Sequence, residues 1–274
     1  MKTIRWYSLF NSMMAAKRSL LPLWFLTPNL ILFFSLTSAC QVKPKPEVRT
    51  PETRTSAAPA NSVYTAKTPH PDGTGKVYLG REIAHVMGAS GGAWLERDTR
   101  QEEENVTLAI AKLKLQPNSV VADIGAGTGY YTFRIAPKVP QGKVYAVEVQ
   151  DEFVSALEKR KKELGLTNVE IVKGTNQSPN LPAAAVDLAI MVDVYHELEY
   201  PHEMLQALHK ALKPGGKLLL LEYRAEDPAI PIKELHKMSV AQVTKELSAN
   251  GFKLAKRENF LPIQHYLLYE KESN

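Results

Sequence analysis

The sequence predicts an α/β fold with a doubly wound, mostly parallel sheet, and three features carry that prediction. Short apolar runs rich in β-branched residues alternate with helical patterns from Ser119 to Tyr223. A glycine-rich turn, "DIGAGTG", follows the first run and opens a helix. The two closing runs, "FKLAKREN" and "HYLLYEK", are separated by a short connection with no crossover helix, so if they pair directly they pair antiparallel. The sheet is therefore expected to be mixed, with one reversed strand near its edge.

Taken in order, residues 1–40 read as a signal peptide or membrane anchor. Lys17 and Arg18 precede "SLLPLWFLTPNLILFFSLTSAC", an apolar stretch of signal-peptide or membrane-span length that ends in small residues and the chain's one cysteine, Cys40. "LTSAC" resembles the bacterial lipobox, which implies that Cys40 is acylated and becomes the N-terminus after cleavage. Thr37 departs from that pattern, where leucine is commonest. Initiation at Met13 or Met14 would give the basic region a more usual length. The other reading is an uncleaved anchor, against which Pro22, Pro28 and Asn29 count. Positive-inside bias then places the remainder on the periplasmic side of a bacterial cell envelope, anchored to the lipid membrane; an unprocessed leader would leave it cytoplasmic.

Residues 41–76, rich in Pro, Thr and Ala without apolar periodicity, are expected to be a disordered linker. Residues 77–116 are read as an N-terminal helical lid segment: a short helix over "REIAHV", a turn at Gly91 and Gly92, and a helix from about Arg100 to Leu115 closed by Pro117. Residues 117–274 form the main domain. Its strands are "SVVADIG", "KVYAVEV", "VEIVKG", "VDLAIMVD" and "KLLLLEY", with helices over 130–136, 151–164 and 201–212. A last helix over 239–250 stops at Gly251, ahead of the two closing strands.

The net charge of +5 does not point to nucleic acid. Four of the 34 basic residues, Lys2, Arg5, Lys17 and Arg18, lie before residue 40, where there is no acidic residue; without them 30 basic residues face 29 acidic ones. No cysteine follows Cys40, so the folded part contains no disulfide and no thiolate chemistry. Oligomeric state is not legible.

In an open α/β sheet the ligand sits at the carboxyl ends of the strands, so the glycine turn is the expected site. A dinucleotide fingerprint needs glycine at the sixth position, where Tyr130 stands, and no Gly-Lys-Ser/Thr follows to make a P-loop. Two carboxylates flank the turn. Glu148, ending "VYAVEV", is placed to accept hydrogen bonds from a ribose. Asp123, before the turn, repels pyrophosphate and attracts a cation. A ribose joined to a cationic group describes S-adenosylmethionine better than NAD.

"VVADIGAGTGYYT", with "VYAVEV", "VDLAIMVDVYHEL", "LKPGGKLLLLEY" and the two closing strands, resembles the class I S-adenosylmethionine-dependent methyltransferases from about Arg81 to Lys271. The resemblance implies a Rossmann-like, seven-stranded sheet whose last strand is antiparallel. It implies that Asp123, Gly125, Ala126, Gly127 and Gly129 line the methionine part of the cofactor, that Glu148 binds the ribose, and that Asp193 joins the cofactor site. Many members carry an acid that contacts the adenine amine; here Asn176 is the substitute.

Methyl transfer from a sulfonium depends chiefly on positioning and on exclusion of water. The candidate catalytic residues end the fourth strand: Asp193, Tyr195 and His196, with His196 as a base for a small-molecule acceptor. The alternative for His196 is a cap or packing role at the next helix. Glu222, Tyr223 and "RAEDP" line the acceptor side or form a solvated loop. Trp94, Met87, Tyr78 and Arg97 either cover the pocket or pack the N-terminal segment. A zinc-protease reading of "HELEYPH" fails because Tyr200 stands where the second histidine is needed, and no metal is expected. The alternative function is an exported lipoprotein that keeps the fold and binds a ligand or partner without catalysis.

Overall fold

The computed structural model describes residues 63–272; the leader, Cys40 and residues 41–62 of the expected spacer lie outside the described residues. The strands are β1 Tyr64–Ala66, β2 Gly73–Tyr78, β3 Arg81–Ala84, β4 Val120–Ile124, β5 Lys143–Glu148, β6 Val169–Lys173, β7 Val186–Val192, β8 Leu212–Tyr223, β9 Phe252–Glu258 and β10 Gln264–Lys271. The helices are α1 Gly92–Leu95, α2 Arg100–Glu104, α3 Val106–Lys112, α4 Thr132–Ile135, α5 Asp151–Glu163, α6 Pro201–Ala211 and α7 Val240–Ser248. Among the described residues no helix is long and apolar enough to cross a membrane.

Seven strands form one sheet in the order β6-β5-β4-β7-β8-β10-β9. The five from β6 to β8 are parallel, and β10 runs antiparallel to both of its neighbours. The expected mixed sheet is thus observed, with β10 as the reversed strand beside the edge strand β9. From β4 the chain winds outward through β5 and β6, then returns to β7 on the other side of β4. Strand order therefore reverses between β4 and β7, and a crevice opens at their carboxyl ends.

Alternate residues of each strand enter opposite layers, which is why the strands read as nearly continuous apolar runs. Val121, Val144, Ala146, Ile190 and Leu219 face α3, α4 and α5, meeting Ala109, Phe133 and Leu157. Ala122, Val147, Ala189, Met191 and Leu220 face α6 and α7, meeting Leu205, Leu208, Val243 and Leu247. Helix α6 buries Pro201, Met204, Leu205, Leu208 and Ala211, a stripe at helical spacing that fastens it to the sheet. Each fully buried leucine there contributes about 1.5–3 kcal/mol.

The N-terminal part departs from the sequence reading. Strands β1, β2 and β3 form a small antiparallel sheet across residues expected to be spacer (64–76) and short helix (81–86). The hairpin between β2 and β3 turns at Leu79 and Gly80, both with positive φ. Its glycine-rich strands gain from polar contacts: Glu82 Oε1 accepts from the backbone N–H groups of His70 and Gly75, each at 2.9 Å. The single helix expected from Arg100 to Leu115 is broken into α2 and α3 at Asn105, which takes a left-handed conformation (φ 51°) and whose side chain accepts from Leu108 N. Asparagine suits both demands, since it tolerates that backbone region and caps the next helix.

Candidate active site

The glycine turn lies at the switch point, between the end of β4 and the start of the α4 segment. Gly125 and Gly127 adopt φ of 71° and 54°, a region that penalises any residue with a Cβ. A Cβ on Gly125 would lie 2.7 Å from a Val194 methyl, so the turn and the loop after β7 pass each other closely. Both Gly125 N and Ala126 N donate to Val147 O, at 2.9 and 3.0 Å, which fastens the turn to β5. Glu148, at the end of β5, accepts from Gly127 N at 2.9 Å through one oxygen, and from Val149 N and Gln150 N at 2.6 and 3.0 Å through the other. A carboxylate has about four acceptor positions, so one remains after these three bonds.

Asp123 is buried on β4 and accepts the Thr132 hydroxyl at 2.6 Å. Burial raises its carboxyl to about 6, although the Thr132 hydrogen bond and the Arg100 cation act the other way. A carboxyl whose folded value lies above its ordinary 3.8 favours the fold fully below pH 3.8, and that gain is lost as pH rises through about 6. At neutral pH the site therefore holds an ionised, desolvated carboxylate at a cost of about 3 kcal/mol. Asp123→Asn is expected to raise the melting temperature of the ligand-free protein at pH 7.5 by more than at pH 5; an equal shift at both pH values would mean that Asp123 is not the titrating group.

Beside Asp123 lies a buried cluster that the sequence reading did not assemble. Glu104 on α2 accepts from Arg100 Nε at 2.8 Å, from Arg97 Nη2 at 2.6 Å and from the Tyr223 hydroxyl at 2.9 Å. The Arg100 guanidinium stacks 4.4 Å from the Tyr130 ring, and that of Arg97 lies 3.9 Å from the Trp94 ring. Asp193, just past β7, is half-buried with φ 54°, accepts Gln264 Nε2 at 2.8 Å, and leaves its buried Oδ1 without a partner. Burial, with Glu104 and Glu222 nearby, pushes its carboxyl well above the usual range. Arg100, Glu104 and Gln264 went unnoticed because they come from a helix before β4 and from the last strand. The one local signal was the Arg100/Glu104 pair four apart on a helix.

Two sequence candidates for catalysis are placed elsewhere. Tyr195 is fully buried, and its hydroxyl donates to Glu246 at 2.8 Å; it packs with α7 and does not line the site cavity. His196 is 2% exposed, with Nδ1 2.6 Å from Glu222 Oε2. Burial alone would lower its pKa, but the carboxylates of Glu222 and Glu197 outweigh it and hold the ring up at about 10. An imidazole that is protonated at neutral pH has no lone pair with which to act as a base. Of the three residues proposed for catalysis, Asp193 alone stays among the groups around Asp123. Asn176 is exposed on the loop after β6, where its amide donates to Glu199 at 2.6 Å, and it does not line the cavity either. Trp94 and Arg97, for which covering the pocket and packing were both open, pack against Tyr223 and Glu104. Tyr78 is instead a core residue whose hydroxyl accepts from Asn250. Met87 bonds Glu197 and Gln150 through its backbone.

The cavity between Asp123, Gly125, Thr128, Tyr131, Leu95 and Arg100 holds about 30 Å³. A nucleoside-sized ligand needs several hundred, so binding requires the segment bearing Leu95 and Arg100 to move outward. The residues fit S-adenosylmethionine in their chemistry. The Arg100 cation acts on the carboxylates of both Asp123 and Asp193; Asp193 Oδ1, Thr128 Oγ1 and the Tyr131 hydroxyl are buried without partners; and the turn brings bare backbone to the site.

Residues 122–218 match the family model described as a methyltransferase domain. A tRNA U34 carboxymethyltransferase of Desulfotalea psychrophila is 34% identical over 102 residues, which is 37% of this chain and 31% of that protein. The chain spans about a third to a half of the length of most curated relatives it matches. A SAM-dependent methyltransferase of Aquifex aeolicus superposes with a TM-score of 0.64 at 25% identity, over 68% of this chain and all of that one. The [4+2]-cyclase SpnF superposes with a TM-score of 0.54 at 18% identity, over 62% of this chain and 80% of that one. The fold is that of the class I methyltransferases, and S-adenosylmethionine is the cofactor this fold carries.

Proposed function

We propose that this chain transfers a methyl group from S-adenosylmethionine to a small-molecule acceptor, tethered to the bacterial cell envelope through Cys40 or the apolar N-terminal segment. The observation that carries the reading is the carboxylate of Glu148 bonded to Gly127 N at the switch point, with the buried Asp123 and the half-buried Asp193 alongside. When bound, S-adenosylmethionine supplies a methyl group already activated on a sulfonium. Glu148 would accept a ribose hydroxyl at its remaining acceptor position. Asp123 complements the donor's positive charge. The segment from Leu95 to Glu104 would close over the bound donor and exclude water. Catalysis then rests on positioning in a dry site. The near balance of charge beyond the leader favours a small acceptor over nucleic acid.

Glu148→Ala tests the assignment. Loss of charged hydrogen bonds to ribose is expected to weaken donor binding by about 1–3 kcal/mol, read by calorimetric titration. Unchanged affinity would remove Glu148 from the site.

A second reading has its own support. A neighbour that is a cyclase shares the fold, so the fold by itself does not imply methyl transfer. The leader also points away from the cytoplasm, where the donor is made. On this reading the chain is an exported lipoprotein that binds a ligand without turnover. Binding of the donor with no transfer of labelled methyl to cell-envelope extracts would support it, and protease accessibility in intact cells tests the location.

A further inference from the structure

We propose that His196, Glu197 and His236 form a binding site for a divalent transition-metal cation of the zinc type. His196 and Glu197 stand on the 3-10 turn after β7, and His236 on the 3-10 turn Glu234–His236 between β8 and α7. One atom of each, His196 Nε2, Glu197 Oε1 and His236 Nδ1, lies within 4.8 Å of the other two. Glu197 Oε1 is 3.6 Å from His196 Nε2 and 3.3 Å from His236 Nδ1. These separations are long for hydrogen bonds. They suit ligands arranged around one ion, since metal bonds of 2.0–2.1 Å in tetrahedral geometry place ligand atoms about 3.3 Å apart.

The groups are also aimed from behind. Glu222 Oε2 sits 2.6 Å from His196 Nδ1, and Glu222 Oε1 accepts from Val194 N and Tyr195 N at 3.2 and 2.8 Å. Glu222 keeps a proton on Nδ1, so a cation that displaces the Nε2 proton would meet a lone pair facing Glu197 and His236, the carboxylate-histidine arrangement that orients metal ligands. Glu197 uses its other oxygen to accept Met87 N at 3.1 Å, which turns Oε1 toward the two rings. His236 is the most exposed of the three side chains, at 20%, and gives a route for entry. Two histidines and one carboxylate make a donor set that suits zinc and leaves a fourth position open. The failed His-Glu-x-x-His spacing hid the set, because its second histidine arrives 40 residues later in sequence from another loop.

The test uses the full chain in detergent, stripped with a chelator and titrated with Zn²⁺ against a chromogenic competitor, and separately with Co²⁺. The expected result is one equivalent bound per chain, with the intense visible absorption of tetrahedral Co²⁺. Glu197→Gln and His236→Gln each weaken binding at least about tenfold. His202→Gln, on α6, leaves it unchanged. Failure of the stripped wild type to compete for Zn²⁺ would overturn the proposal, as would uptake equal to wild type in both ligand variants. Because His236 lies at the surface, its variant is expected to fold; Zn²⁺ should raise the melting temperature of the wild type and leave that of His236→Gln unmoved.

Discussion

Gly127→Val is expected to abolish measurable binding of S-adenosylmethionine while the chain still folds. Gly127 has φ 54°, where a β-branched residue is strained by roughly 1–2 kcal/mol. A Cβ there would lie 2.8 Å from Leu95 Cδ1, the end of a flexible side chain, so the fold can accommodate it by shifting that leucine. The ligand cannot be accommodated in the same way. The Cβ and its methyl groups project toward the segment that must open, and twisting the backbone breaks the Gly127 N bond to Glu148 that sets the ribose acceptor. Circular dichroism should report a folded protein, and calorimetry no saturable heat. A valine variant that binds with wild-type affinity would place the ligand away from this turn.

Glu246→Ala is expected to destabilise the protein by about 3–5 kcal/mol, the scale for removing one partner of a buried ion pair. Glu246 on α7 is fully buried and takes Arg81 in a bidentate pair at 2.7 and 2.8 Å. It also accepts the Tyr195 hydroxyl and Gln242 Nε2, each at 2.8 Å. Arg81 in turn donates to His196 O at 3.0 Å, so this pair joins the small N-terminal sheet to the loop after β7. Alanine would leave a buried guanidinium and a buried hydroxyl without their acceptor. Urea unfolding should show the loss, and the double variant with Arg81→Ala should recover part of it, since the stranded charge is then gone. A change below about 1 kcal/mol in the single variant would mean that water reaches Arg81 and that the N-terminal sheet contributes little to the fold.

The main sheet was legible because its strands are buried on both faces and read as apolar runs between helices. The reversed strand was legible from the short link ahead of "HYLLYEK" alone. The small sheet was not, because β1 and β2 have Thr, Lys and Gly where strand signals are sought, and part of their support is Glu82, a polar residue made useful only by folding. The glycine turn and its two acids could be placed from local order, since switch-point geometry follows from the strand pattern. The roles of His196 and Tyr195 could not. Both sit where a catalytic group would be sought by chain position, but Glu222 and Glu246, from β8 and α7, draw them into the core. Arg100 was missed for the opposite reason: it comes from a helix outside the motif and reaches the acids only through tertiary packing.

The central claim is that the turn from Gly125 to Gly129, with Asp123 and Glu148, holds S-adenosylmethionine. Calorimetric titration of the full chain in detergent with that compound, and separately with S-adenosylhomocysteine, tests it most directly. The account predicts saturable one-to-one binding of both with dissociation constants on the order of micromolar. No saturable heat with either ligand, from a sample that circular dichroism reports as folded, would contradict it.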